Sequence, residues 1–548
     1  METEEREVTT SQNEDVTQQA SGEAVATVKQ YKGFAGKLDK FFGITKAKSS
    51  LSTEIFAGIA TFLAMAYILT VNPNQILNFN TSSPLWSSVF IATALGALIG
   101  TLLMALFAKM PLAQAPGMGL NSALGGIIGG YMYGSKGLSF GAAMLMVLIS
   151  GVIFLILTVV PCGRDKKTGR LIGIREKIFE SIPAGLRVAI PVGIGLFIAY
   201  IGFQNAGLVV HSPFTQVELV DFTNWDLQAI NIGSGVAYAA QMAIVALISL
   251  FAIAILAHFK VKGAVIIGML FATLVGMCFG NGVVVDFDVI TGDAPGITWK
   301  FWENFKNFFS FDTATGGSFF AAFHDISIPA GSVLSCIVII ISFCMIDMFD
   351  TMGTVLGCCS RANLLDEEGK PINFNKIMMS DAIATCTGAM LGTSTVTTFV
   401  ESGAGVAAGG RTGMTALTTS CLFLLSIFIL PIFAFIPSAA AAGALIYVGV
   451  LMMGQVKNID FSDIRVAVPA FLTIIMMPLA YSITDGIGIG MIAYVIINII
   501  CYVVDMIKYA VVKGKAGAEA VKPKWNVSIV LGIITILFIL YFFLPASV

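Results

Sequence analysis

Residues 392–413 read GTSTVTTFVESGAGVAAGGRTG and lie between two strongly apolar segments, so they sit at or near membrane depth. They nevertheless hold a carboxylate, Glu401, a cation, Arg411, and a dense run of Gly, Ser and Thr. An ionisable residue inside a membrane costs roughly 2.5–3.5 kcal/mol on insertion scales, and by default it marks a cavity with a function. From Gly392 to Phe399 small polar and β-branched residues alternate, and helix-compatible sequence resumes near Val400. The pattern predicts a broken helix, with extended backbone first and a half-helix after it. Such backbone survives at membrane depth only where protein buries it or it lines a cavity. A small-molecule site is therefore expected here.

Composition supports the membrane setting. Of 548 residues 56% are hydrophobic and 12% charged, about half the charged fraction of a soluble domain. Fifteen helix-length apolar segments are predicted, at 53–78, 85–108, 118–132, 138–161, 185–203, 234–257, 262–281, 331–358, 376–392, 400–414, 416–435, 439–455, 465–482, 486–507 and 527–545. The third and tenth are short and Gly-rich. The net charge of −2 argues against a nucleic-acid partner. The nine Cys have no metal-ligand spacing. Residues 1 to about 30 are polar and acidic and read as a disordered tail, not a signal peptide. No P-loop, HExxH or GxSxG motif occurs, so neither ATP-driven transport nor common hydrolase chemistry has support.

Lys and Arg collect in cytoplasmic loops. Lys29, Lys32, Lys37, Lys40, Lys46 and Lys48 precede the first segment, and Arg164, Lys166, Lys167, Arg170, Arg175 and Lys177 follow the fourth. Lys260 and Lys262 follow the sixth, Arg361, Lys370 and Lys376 the eighth, and Lys508, Lys513, Lys515, Lys522 and Lys524 the fourteenth. All five groups fall on one side. The chain is expected to be a multi-pass protein of the inner or plasma membrane with a cytoplasmic N-terminus. The loops near 204–233 and 282–330, with Asp221, Asp226, Asp286 and Asp293, then face outward.

A faint repeat divides the chain. LAQAPGMGLN (112–121) and STVTTFVESGAG (394–405) each give a short extended lead and then Gly-rich helix, and Ile182-Pro183-Ala184 is echoed by Ile436-Pro437-Ser438. Seven segments separate the copies, and seven is odd, so the halves are inverted. Paired, Gly-interrupted short segments at matching places point to a transporter site.

Four groups of residues can carry chemistry. Asp347 and Asp350, in FCMIDMFDTMGTVLG (343–357), are three apart and share a helix face. Such carboxyls suit a proton-coupled carrier; the structural alternative is that one caps a loop or pairs with Arg411. Glu401 can accept hydrogen bonds from a substrate N–H, whereas Arg411 reads as the end of a helix at the interface. In AQAPGMGLN (113–121), Pro116 and Gly117 break the helix, Gly119 allows close approach and Asn121 offers donor and acceptor. In GIATFLAMAYILTVNP (58–73), Tyr67 or Phe62 could stack on a planar ligand, although single residues of this kind more often serve packing.

Together these stretches resemble the nucleobase:cation symporter family, in particular its AzgA-like adenine/guanine/hypoxanthine branch. The matching blocks are 58–73, 115–121 (APGMGLN), 348–357 (MFDTMGTVLG), 392–413 and 477–490 (MPLAYSITDGIGIG), in family order. The resemblance implies an all-α membrane protein with fourteen spans in two inverted seven-helix repeats, broken third and tenth helices carrying short strands, and an extra C-terminal span. It implies a polar tail at 1–50, a substrate-holding core at 51–161 and 331–435, and a gate at 185–281 and 439–507. An outer loop at 282–330 and a basic segment with a peripheral helix at 508–548 complete the division. The family's substrate carboxylate falls on Asp347, with Asp350 as the second acid, its tenth-helix acid on Glu401, and its third-helix Gly and Asn on Gly119 and Asn121. Thr398 and Phe399, beside Glu401, join the expected substrate set. Two departures lie next to this set: Ser122-Ala123-Leu124 follows Asn121 where the family has a small and then an aromatic residue, and Gly403 stands where Ala is common.

The expected function is import of a purine nucleobase (adenine, guanine or hypoxanthine) by proton symport, with no enzyme activity, no cofactor and no metal. Asp347 and Glu401 would grip the base and Asp350 would carry the proton, although coupled acids can exchange such roles, so Asp347 and Glu401 are proton candidates as well. The family also suggests a homodimer through the gate. The rivals are a same-fold carrier for another nucleobase or a small anion and, remotely, an intramembrane aspartyl protease.

Overall fold

The computed structural model describes residues 33–78, 83–129, 137–164, 171–212, 216–223, 228–229, 237–238, 240–279, 284–285, 287–291, 297–329, 333–366, 371–513 and 522–543. Most of the expected polar tail lies outside these residues, as do Lys29, Lys32, Lys166, Lys167, Arg170, Asp226, Asp286, Asp293, Lys370 and Lys515.

The described chain is a bundle of apolar helices. They are α1 Leu51–Ile76, α2 Leu85–Ala108, α3 Met118–Ile128, α4 Phe140–Val159, α5 Ala184–Asn205, α6 Ala240–His258, α7 Ala264–Phe279, α8 Val333–Ala362, α9 Phe374–Leu391, α10 Ser402–Ala407, α11 Gly413–Ala434, α12 Ser438–Met453, α13 Ile464–Leu479, α14 Ile483–Lys513 and α15 Ile529–Phe543. Among the described residues, nine helices are long and apolar enough to cross a membrane unaided. Each predicted apolar segment holds one of these helices. The tenth is shorter than expected: it spans six residues, 402–407, and not 400–414. Gly403 and Gly405 give it little intrinsic stability, and its last turn ends in Ala408 and a left-handed Gly409 at φ +102°.

Two short strands cross at the centre. β1 Gln114–Pro116 leads into α3, and β2 Val396–Thr398 leads towards α10. They pair antiparallel, Gln114 opposite Thr398, Ala115 opposite Thr397 and Pro116 opposite Val396. The pairing continues at both ends, where the Gly117 N–H donates to the Thr395 carbonyl at 2.9 Å and the Phe399 N–H to the Ala113 carbonyl at 3.0 Å. Extended backbone in a membrane must satisfy its polar groups within the protein, and each strand supplies what the other lacks. The antiparallel crossing of two equivalent strand–half-helix units is the geometry that two inverted repeats produce. The loop at 204–233 is not wholly irregular, since Val209–Ser212 pairs antiparallel with Gln216–Leu219.

Helices pack in two groups. α1, α2, α4, α8, α9, α10 and α11 pack among themselves, and α5, α6, α7, α12, α13 and α14 do likewise. The tightest pair is α5 with α12, the two helices that follow the repeated Ile-Pro motif. Gly195 and Gly449 permit this approach: a Cβ on Gly195 would lie 2.4 Å from Met452 Cβ, and one on Gly449 2.6 Å from Ala199 Cβ. α1 breaks at Ala66–Tyr67, and its second half holds Pro73, which cannot donate to the Leu69 carbonyl one turn earlier.

Candidate functional site

A hollow with about 320 Å³ of empty space opens where the strands give way to the half-helices. Its walls come from five elements: Met118 and Gly119 of α3, Ile198 of α5, Asp350 and Thr354 of α8, Thr398 to Glu401 after β2, and Met452 of α12. Both helix groups contribute. Two carboxylates share it, from chain positions 51 residues apart.

Glu401 stands directly before α10, 7% exposed. One of its oxygens accepts the Tyr67 hydroxyl at 2.6 Å, and the other, Oε2, has no partner among the described residues. Asp350 is half-buried and accepts one long hydrogen bond, from Thr397 Oγ1 at 3.3 Å. Phe399 is 4% exposed and lines the hollow beside both acids. Among the described residues, no Lys or Arg lines it. A buried carboxylate with an unused oxygen carries a desolvation cost that a guest with N–H donors would offset.

The other expected residues sit elsewhere. Asp347 is 1% exposed and does not line the hollow. It faces α9, where Oδ2 accepts the Thr385 hydroxyl at 3.1 Å and Oδ1 has no partner among the described residues. Asn121 is buried behind the wall. Its Oδ1 accepts a short hydrogen bond from the Ser394 hydroxyl and so ties one half-helix unit to the other. Gly119 does line the hollow, and a Cβ there would meet Ile483 Cδ1 of α14 at 2.6 Å. Tyr67 does not offer a ring face to the hollow; its hydroxyl orients Glu401. Phe62 packs edge-on against Phe423 at 5.2 Å. Arg411 pairs with neither aspartate. Its guanidinium donates to the Val406 and Gly410 carbonyls, both at 2.7 Å, which closes the C-terminal end of α10. Glu54 of α1 accepts the Arg411 and Thr412 N–H groups at 3.0 and 3.2 Å and holds that turn in place.

Three functional candidates escaped the sequence reading. Arg175, grouped with the cytoplasmic loop cations, is 1% exposed and points inward. It forms an ion pair with Asp381 of α9 at 3.2 Å. Asp381 also accepts Gln114 Nε2 at 3.0 Å and the Thr351 hydroxyl at 2.8 Å. The available signal was Asp381 itself, an acid inside a predicted span with no named partner, since a buried acid requires one. Met118 and Thr354, on the wall, gave no signal of their own.

A larger hollow lies between α8, α14 and α15, but its lining is almost wholly apolar, Ser342 and Thr484 apart. It lacks the convergent polar groups of a solute site, so the chemistry belongs to the smaller one.

Comparisons with known proteins identify the family. The model of the Permease family, of xanthine/uracil type, matches residues 52–489. The adenine permease AdeP of Escherichia coli strain K12 is 34% identical over 464 residues, which covers 85% of this chain and 91% of that one. The guanine/hypoxanthine permease PbuG of Bacillus subtilis strain 168 is 36% identical over 463 residues, 83% of this chain and 92% of that one. Among solved structures, the transmembrane domain of a cyanobacterial bicarbonate transporter, BicA, superposes with a TM-score of 0.54 at 15% identity, over 80% of this chain and 97% of that domain. At that identity the likeness concerns the fold alone. The chain is thus a multi-pass membrane permease, and it belongs to the nucleobase:cation symporter family, the xanthine/uracil permeases.

Proposed function

We propose that this permease imports purine nucleobases by proton symport. One observation carries the reading: Asp350 and Glu401 share a hollow with Phe399 and, among the described residues, with no cation. A purine presents ring N–H donors in one plane, joined in adenine and guanine by an exocyclic amine. Two carboxylates can accept from that edge while an aromatic face stacks on the ring. The relatives whose names include adenine, guanine and hypoxanthine support the same substrate class. Positions favour an exchange of the roles expected for the two aspartates. Asp350, on the wall, takes the base together with Glu401; Asp347, behind the wall with one hydrogen bond, takes the proton. Thr398, Phe399 and Gly119 shape the hollow, and Asn121 holds the two half-helix units in register.

The helix group with α1, α8 and α10 is the core, and the group with α5 and α12 is the gate. The hollow lies between them, so sliding of one past the other exposes it alternately to the two sides. The N-terminus is cytoplasmic, as the basic loops require, and two copies meet through the gate; cysteine crosslinking at α12 and α13 tests that pairing. A small-anion carrier of the same fold would favour a cation in the hollow, and among the described residues none lines it.

Uptake of radiolabelled adenine, guanine and hypoxanthine, with and without a protonophore, tests the reading. Accumulation of at least one base that collapses with the protonophore supports it. Bases ignored while bicarbonate or sulfate is taken up would overturn it.

A further inference from the structure

The geometry points to Arg175 as the coupling residue of this carrier: it acts through Asp381 to set the proton affinity of Asp347, and it ties that charge balance to the segment joining core and gate. The inference rests on the core-and-gate and proton-symport readings above.

Arg175 belongs to a short helix, Ile174–Ser181, between α4 of the core and α5 of the gate. Its guanidinium leaves that linker and enters the core. It lies 3.5 Å from the centroid of the Phe154 ring, reaches the Met378 carbonyl at 3.4 Å and pairs with Asp381 at 3.2 Å. α8 and α9 are joined there by two rungs, Thr351 to Asp381 at 2.8 Å and Thr385 to Asp347 at 3.1 Å. The network also reaches the hollow. Gln114 Nε2, which donates to Asp381, lies 3.4 Å from the hydroxyl of Thr398 on the wall, and the Thr398 N–H is 3.5 Å from Thr351 Oγ1.

The groups facing Asp347 can be counted. Cys344 and Asp350 lie on its own helix, Asp381, Thr385 and Cys386 on α9, and Arg175 on the linker. The thiols are neutral near pH 7. Asp350 faces the hollow, so the back cluster itself is two acids, Asp347 and Asp381, and one cation. With Asp347 ionised it carries one net negative charge; with Asp347 protonated it carries none. Uncompensated charge in a low-dielectric interior is costly, so the proton and the seating of Arg175 are linked. Withdrawal of Arg175 leaves two acids facing each other and draws a proton in; its return favours release. Linkage makes the effect reciprocal: proton occupancy of Asp347 biases the linker, and the linker leads directly into α5. Arg175 is thus a positioning residue that never touches the base.

The test is the pH dependence of base uptake in membrane vesicles, with membrane abundance measured alongside. Arg175→Gln should move the alkaline midpoint of uptake upward, and Asp381→Asn should move it downward, each by about one unit or more, as expected for a charge at this range. Arg175→Gln/Asp381→Asn restores neutrality and should return the midpoint to the wild-type value. Single variants that shift in the same direction, or that lower maximal uptake with the midpoint unmoved, would overturn the inference and leave the pair a structural brace. If either single variant is missing from the membrane, the charge-balanced Arg175→Lys and the double variant decide: both must keep the wild-type midpoint, and a shift in either sinks the idea. Failure of the underlying function appears earlier and separately, as wild-type vesicles that accumulate no base or ignore a protonophore.

Discussion

The front acids, half-buried Asp350 and buried Glu401, and the buried back acid, Asp381, lie in the same half of the molecule but are provided for differently. Asp381 accepts from Gln114, Thr351 and Arg175, a full complement for a carboxylate with a cation beside it. Asp350 and Glu401 accept one hydrogen bond each from side chains, and Glu401 keeps an oxygen without a protein partner. A carboxylate satisfied by protein holds helices together. One left under-satisfied at a hollow has capacity in reserve for a guest. Asp347 lies between these cases: it is buried as deeply as Asp381 yet has a single donor.

The contrast breaks most directly at the front. Asp350→Asn and Glu401→Gln keep shape and remove charge. A hydrogen bond to a charged group is worth about 1.5–3 kcal/mol, so each should cut the apparent affinity for base about 10- to 100-fold, with normal amounts of protein in the membrane. Equal affinity in either variant would remove that acid from the substrate site. Next in size is a change of packing. A Cβ on Gly405 would lie 2.1 Å from Thr61 Oγ1 and 2.8 Å from the Ala57 carbonyl. Gly405→Ala should therefore push α10 off α1 and cost about 1–3 kcal/mol, read as a lower melting temperature of the purified protein. Gly119→Ala meets only the flexible end of Ile483 at 2.6 Å and should melt nearly as wild type.

The legible part of this molecule was what local sequence controls. Pro116 and Gly117 in one half, and Thr395 to Thr398 in the other, cannot be comfortable membrane helix, so an extended lead was expected in each, and the family resemblance made these leads strands. Their register could not be, because it joins positions 114 and 398, far apart in the chain. Asp347 and Asp350 were read as sharing one face of one helix, but three residues on a 3.6-residue turn leave them about 60° apart. That angle is enough for one to face the hollow and the other α9, and only the neighbouring helices determine which. Arg175 was misread for a related reason. Five other basic residues precede or follow it, Arg164 and Lys177 among them, and the positive-inside pattern accounts for a cluster without saying which member turns inward.

The smallest expected effects divide front from back most cleanly. Tyr67→Phe removes the one donor on Glu401, a loss of about 0.5–1.5 kcal/mol, so the KM for base should change by about two- to tenfold while the pH midpoint of uptake stays in place. Thr385→Val removes the one donor on Asp347. That donor favours the ionised form, so without it the proton is retained to higher pH. The alkaline midpoint should rise by a fraction of a unit, with KM nearly unchanged at acidic pH. If Thr385→Val moved KM and left the midpoint in place, the base would be held by Asp347, as the family resemblance alone suggested. The conservative change at Thr385 therefore assigns the role of Asp347 without removing it.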